Sequence, residues 1–281
     1  MKKIALVTDS TANMPQALVE KHHIHVIPVR IQWDEETLVD GVDITSTQFY
    51  ERLIHSKSIP TTSQPSAGDF MALFEKLAGE YEGIIAPLIS SGVSGTVNSA
   101  ELALQTFSKV PVEMIDTHLA AGAAGLVVEA AARAIAAGSD LKAVRVAADA
   151  VREKVKVYFV VDTLKYRHKG GRIGGASRYM GTALNIKPIL YLNDNGKIDA
   201  LEKVRTKKKA IERIIALAAE HVGGKKARAV VMHAAAAQEA EKVVAQVRES
   251  IDCEQVDIYE IGAAVGVHVG PGAIGLSVYP L

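Results

Sequence analysis

Three hydroxyl- and glycine-bearing loops, far apart in this chain, look built to meet at one small anionic group. The richest, Ser90-Ser91-Gly92-Val93-Ser94-Gly95-Thr96, follows the apolar run Gly83-Ile84-Ile85-Ala86-Pro87-Leu88-Ile89 and precedes a helical pattern over 97–107. The apolar run is short enough for a buried strand. A strand that delivers serines and glycines to a helix start gathers free backbone N–H groups, the positive end of a helix dipole and hydroxyl donors in one place. That is a seat for an anion. Asp9, Ser10 and Thr11 follow the first apolar run, where open α/β sheets place ligand loops. An Asx or Ser/Thr turn feeding a helix explains them better. Gly170-Gly171-Arg172-Ile173-Gly174-Gly175 has the look of a phosphate cradle. It lacks the Lys-Ser/Thr pair of a P-loop and reads as a tight turn and a candidate hinge.

The elements that must position these loops alternate. Strand-like runs at 3–7, 26–31, 83–89 and 112–115 are separated by helical patterns at 14–21, 47–55, 67–81 and 97–107, followed by an Ala/Gly-rich helix within 119–137 and a helix at 141–153. The segment 57–66 reads as a loop because Pro60 and Pro65 disfavour both helix and strand. Near Lys154 the character changes. Strand-like 155–161, a basic glycine-rich stretch at 164–178 and strands at 188–193 and 197–204 around Asp194-Asn195-Gly196 come next; an Asn-Gly pair there is a hairpin signal. A helix at 207–221, a strand at 229–233, a helix at 237–250 and a strand at 255–261 complete the pattern. The expectation is an α/β protein of two domains. Residues 1–153 form an N-terminal α/β domain with a mostly parallel sheet, and residues 154–281 a C-terminal α+β domain with a mixed sheet.

Composition narrows the function classes. The chain has 281 residues, 48% of them hydrophobic and 5% aromatic, with 32 basic and 32 acidic side chains. No overall field recruits nucleic acid or an acidic membrane, and little aromatic surface is available to stack nucleobases. The single cysteine, Cys253, excludes an internal disulfide and a multi-Cys metal site, which fits a reducing cytoplasm. Asp9 interrupts the first apolar stretch too early for a signal peptide. Glu129 and Arg133 within the most apolar window favour a buried soluble helix over a membrane span.

Taken together the motifs resemble one family. Thr8-Asp9-Ser10-Thr11-Ala12, Asp40-Gly41-Val42-Asp43-Ile44, Thr62-Ser63-Gln64-Pro65-Ser66 and Ser94-Gly95-Thr96 are similar to signatures of the DegV family. The likeness continues, in the family's order, through Gly170-Gly171-Arg172-Ile173, Leu184-Asn185-Ile186-Lys187-Pro188-Ile189, Val204-Arg205-Thr206 and His268-Val269-Gly270-Pro271-Gly272. The resemblance implies two α/β domains and a non-catalytic carrier that binds a long-chain fatty acid between them. It further implies that the carrier presents the carboxylate to a separate fatty acid kinase, a role in fatty acid metabolism and phospholipid synthesis. No metal or cofactor is implied beyond the fatty acid itself.

Carried over motif by motif, the carboxylate would be held by Thr62, by Ser94 with the backbone of Gly95, and by His268. Hydroxyls at 62 and 94 can donate to carboxylate oxygens, and the imidazole can donate from either nitrogen. Helix capping is the competing account, with Thr62 serving a helix near Ala67 and Ser94 the helix at Val97. Arg172 and Arg205 match basic positions that the family uses toward its kinase, and Lys207, Lys208 and Lys209 either extend that patch or are simply solvated. A tail of about fifteen buried methylenes contributes about 12 kcal/mol gross, before association costs. A helix N-terminus adds roughly 0.3 to 1 kcal/mol. The seat therefore sets orientation and the tail sets affinity. The rival reading is a serine hydrolase acting on an acyl ester, with Ser94 as nucleophile and His268 as base. Gly92-Val93-Ser94-Gly95-Thr96 lacks the last glycine of a nucleophile elbow.

Overall fold

The computed structural model describes residues 3–166, 171–172, 174–175 and 186–281. Gly170 and Ile173 of the candidate hinge, and Leu184 and Asn185 of the family motif, lie outside the described residues. In the first half, β1 (Ile4–Asp9) pairs in parallel with β2 (His25–Ile27) and β6 (Gly83–Leu88), and β6 in parallel with β7 (Val112–Asp116). β1 and β6 are buried along their whole length, as central parallel strands covered on both faces must be. Alternation sorts their side chains. Ala5, Val7, Ile84 and Ala86 pack with Phe70, Phe74 and Leu77 of α3 (Ala67–Ala78) and with Val97 and Ala100 of α4 (Thr96–Leu104). Ile4, Leu6 and Ile85 face the other way, toward α5 (Gly122–Ala136) and α6 (Leu141–Lys154).

Two local expectations are corrected. The run 26–31 is not one strand. Pro28 has no N–H to donate, and the chain leaves the parallel sheet there to start β3 (Arg30–Trp33). Nor is 57–66 all loop. Thr61–Ser63 forms β5, pairing antiparallel with β3, which pairs on its other side with β4 (Glu36–Val39). The prolines at 60 and 65 flank this short edge strand and remove no ladder donor from it.

The second half builds a six-stranded mixed sheet. Its order is β10 (Ile198–Val204), β9 (Lys187–Leu192), β8 (Lys156–Val160), β13 (Ile274–Pro280), β11 (Ala227–His233) and β12 (Cys253–Glu260). One face carries Val160, Ile189, Val231, Leu276 and Val278 against α7 (Lys207–Val222) and α8 (Ala237–Ser250). The opposite face, with Val157, Val230 and Met232, turns toward α5. That helix is thus pressed between two sheets, and its residues 122–132 are all buried. Its Ala/Gly composition follows from the close approach: a Cβ on Gly122 would lie 2.9 Å from Val230 Cγ1. The architecture is α/β, with a parallel sheet in the first half and a mixed sheet in the second. None of the described helices is long and apolar enough to cross a membrane.

Candidate functional site

Three elements bring the candidate residues to one place. Thr62 lies on β5, Ser94 in the turn between β6 and α4, and His268 in the last turn of α9 (Ala263–Val269), a short helix after β12. All three line one cavity enclosing about 950 Å³ of empty space, its mouth included. Thr62 Oγ1 and His268 Nε2 share a hydrogen bond of 2.8 Å across 206 residues of sequence. Beyond these groups the lining is mostly apolar, with Thr11, Gln64 and Arg172 also reaching it. Val157, Phe159, Leu192, Met232 and Gly275 form a floor on the six-stranded sheet, and Val265 and Val269 of α9 close over it.

The capping alternatives resolve differently at the two hydroxyls. Ser66, not Thr62, caps α3, in a reciprocal capping box with Asp69. Ser94 does serve α4: its Oγ accepts from Thr96 N at 3.3 Å and lies 2.8 Å from Thr96 Oγ1, while it also lines the cavity. Gly95 is the N-cap of α4 and makes no side-chain cap of its own. The amide of Gln64 covers it so closely that a Cβ there would fall 2.7 Å from Nε2. Gln64 lines the cavity as well, although its place in the Thr62-Ser63-Gln64-Pro65-Ser66 motif alone gives it no role.

The turn after β1 is mainly structural. Asp9 is buried, accepts from Thr11 N at 3.0 Å and Ile89 N at 2.8 Å, and also bonds the Thr11 hydroxyl. Burial pushes its carboxyl up, against the pull of those hydrogen bonds. Thr11 nonetheless reaches the cavity wall. So does Ala121, the N-cap of α5, at φ 53° and ψ −146°. Such a backbone costs a residue with a side chain about 1–3 kcal/mol and tends to cluster at ligand sites. Nothing in an alanine signals it from sequence.

Asp40, in the second family motif, has a clear task. Its carboxyl lies beside the Ser10 hydroxyl and the backbone N–H groups of Ala263 and Ala264, so the first half of the chain sets a carboxyl against the start of the helix that carries His268. Gly262, the N-cap of that helix, has no side chain to do so. Burial, with a smaller push from Asp9, raises the Asp40 carboxyl from 3.8 to about 6. A raised folded-state value means stability that is full below the unfolded value and lost as pH rises through about 6. Asp40→Asn should therefore flatten the stability profile. Between about pH 4 and pH 7 the native protein should lose at most about 3 kcal/mol relative to the variant. Urea denaturation of the delipidated proteins across that range checks this, and parallel profiles would refute it.

The basic candidates part company. Arg172 lines the cavity and donates from Nε to Val93 O at 3.2 Å, beside the Ser94 turn. Arg205 is exposed, between the end of β10 and Thr206, the N-cap of α7. Lys207 is engaged: it donates to Gly272 O at 2.6 Å and pairs with Glu239 at 2.6 Å and Asp162 at 3.4 Å. It secures the Gly270-Pro271-Gly272 segment that follows His268. The hydrolase pairing finds no support at Ser94, whose hydroxyl is engaged by Thr96.

Known proteins share this fold from end to end. The DegV family model, described as "Uncharacterised protein, DegV family", matches residues 3–281. Protein DegV of Bacillus subtilis (strain 168) is 37% identical over 277 residues, covering 97% of this chain and 98% of the relative. The solved structure of DegV from Bacillus subtilis, described as a fatty acid binding protein, superposes with a TM-score of 0.91 at 35% identity, over 100% of both chains. A DegV family protein from Thermus thermophilus, described by its fatty acid binding, gives 0.90 at 34% identity over 99% of this chain and 100% of that one. A stearic acid-binding protein from Eubacterium ventriosum gives 0.89 at 25% identity, covering 100% and 98%. End-to-end agreement in sequence and in fold makes this chain a member of the DegV family.

Proposed function

We propose that the protein is a cytoplasmic, non-catalytic carrier that holds one long-chain fatty acid in the cavity and presents its carboxylate to a separate fatty acid kinase. The observation that carries this reading is the division of the cavity lining: a polar group of Thr62, Ser94 and His268, joined by Thr11, Gln64 and Arg172, and apolar walls on the sheet and α9. A fatty acid has that same division. In this reading the carboxylate inserts where Thr62 and His268 now bond each other, accepting from the Thr62 and Ser94 hydroxyls and from the imidazole, with the Gly95 backbone at the start of α4 beside it. The tail displaces cavity water and supplies most of the affinity. Acyl-phosphate formation is the kinase's chemistry, for which the carrier provides only the positioned carboxylate.

The test is a calorimetric titration of the delipidated protein with oleic acid, beside Thr62→Val and His268→Ala. Hydrogen bonds to a charged group contribute about 1.5–3 kcal/mol, so each variant should bind roughly ten- to a hundredfold more weakly. Native affinity in both would remove the carboxylate seat. Kinase-coupled turnover separates the two arginines. Arg205→Ala should slow turnover while sparing binding, whereas Arg172→Ala should alter both because Arg172 lines the cavity. Turnover of a chromogenic acyl ester that Ser94→Ala abolishes would instead make the protein a hydrolase.

A further inference from the structure

Three neighbouring strands place Phe159, Gly275 and Met232 in one row across the sheet. Gly275 of β13 is opposite Phe159 of β8 on one side and Met232 of β11 on the other. All three line the cavity, and β12, the strand beyond β11, contributes none of its described residues to the lining. The row therefore ends at Met232. Glycine inside a central strand weakens it, and its usual purpose is to let another group come close. Here that group is the end of Met232, whose Cε lies 2.9 Å from where a Cβ on Gly275 would be. A second glycine makes the other wall: a Cβ on Gly122, the first residue of α5, would fall 3.1 Å from Met232 Cγ. Between these two walls the Ser277 hydroxyl approaches the sulfur at 3.8 Å.

We infer that Met232, lying in the slot between Gly122 and Gly275, is the adjustable inner stop of the cavity and sets the longest acyl chain the protein accepts. This rests on the fatty acid reading of the site and adds its length selection. An unbranched thioether with three rotatable bonds adapts its shape more readily than a branched aliphatic chain. Two flanking positions without Cβ atoms give it room to do so. A terminal methyl arriving from the Thr62–His268 end meets a surface that yields by rotation up to the limit of the slot. A Met that merely filled core space would not be placed on the cavity wall with its free end over a bare strand position.

The experiment measures the affinities of saturated acids from lauric to behenic for the delipidated native protein, Met232→Ala and Gly275→Ala. Removing Cγ, Sδ and Cε should move the preferred length up by about two to three carbons, with about fourfold tighter binding for each further methylene buried. Gly275→Ala should move it down, because the displaced atom is the free end of Met232 and it turns into the cavity. Circular dichroism and melting of each variant verify the fold, and either variant decides the matter alone. A native protein that binds these acids with a length preference unchanged in either folded variant overturns the stop. A native protein that binds none of them overturns the fatty acid reading, and this inference with it.

Discussion

Arg228→Ala should destabilise the delipidated protein by about 3–5 kcal/mol, the cost of leaving a buried carboxylate without its partner. Arg228 is 2% exposed on the α5 side of β11, and its Nη2 lies 3.1 Å from both oxygens of Glu129 on α5. The same nitrogen bonds Asp257, Tyr259 donates its hydroxyl to Glu129, and Nη1 donates to Ala229 O at 2.6 Å. This cluster fixes the middle of α5 against the second sheet, while Ala120 and Ala121, just before the same helix, line the cavity. With Arg228 gone, Glu129 keeps Tyr259 and a longer contact of 3.4 Å to the half-exposed Arg133. Equilibrium denaturation of the two proteins measures the loss. Removing Glu129 together with Arg228 should cost less than the sum of the single changes, because the orphaned charge is the main penalty. A loss below about 1 kcal/mol in Arg228→Ala would show that α5 is held by packing alone.

The second large effect is expected at a hairpin tip. Gly196 sits at φ 65° in the turn between β9 and β10, and its carbonyl accepts from the buried Ser90 hydroxyl at 2.8 Å. A Cβ there would fall 1.9 Å from Ser90 Oγ and 3.0 Å from the His118 Cα. Gly196→Val therefore combines a left-handed backbone that a β-branched residue resists with direct overpacking, together about 2–5 kcal/mol. The tip must lift from the Ser90 turn. That turn carries Ser94, and the hairpin supplies Leu192 and Ile198 to the cavity wall, so fatty acid affinity should fall at least about tenfold as stability drops. Affinity and stability both within twofold of native would mean that the tip plays no part in shaping the site.

The fold is legible where periodicity is strong. The parallel strands β1, β6 and β7, the Asn-Gly hairpin and the buried Ala/Gly helix all stand where the apolar patterns put them. It is illegible where a proline or glycine changes meaning with its neighbours. Pro28 ends one strand and opens another sheet, while Pro60 and Pro65 leave room for β5. No strand is assigned to 274–280, although Ile274, Leu276 and Val278 alternate with Gly275 and Ser277. β13 is nevertheless buried from residue 274 through 279, in the middle of its sheet. At the site, the hydroxyls and the imidazole are singled out by motif. Asp40 stands in a motif without a role, and Ala121 in none, since a carboxyl set against the start of a helix more than two hundred residues away and a strained alanine exist only in three dimensions.

Mass spectrometry of the purified protein, native and after organic extraction, tests the carrier reading most directly, with the Ser94→Ala/His268→Ala double variant as its comparison. One long-chain fatty acid per native chain, depleted in the variant, is the predicted result, and the extract identifies the acids selected. A native protein that is empty and also takes up no added fatty acid would contradict the account.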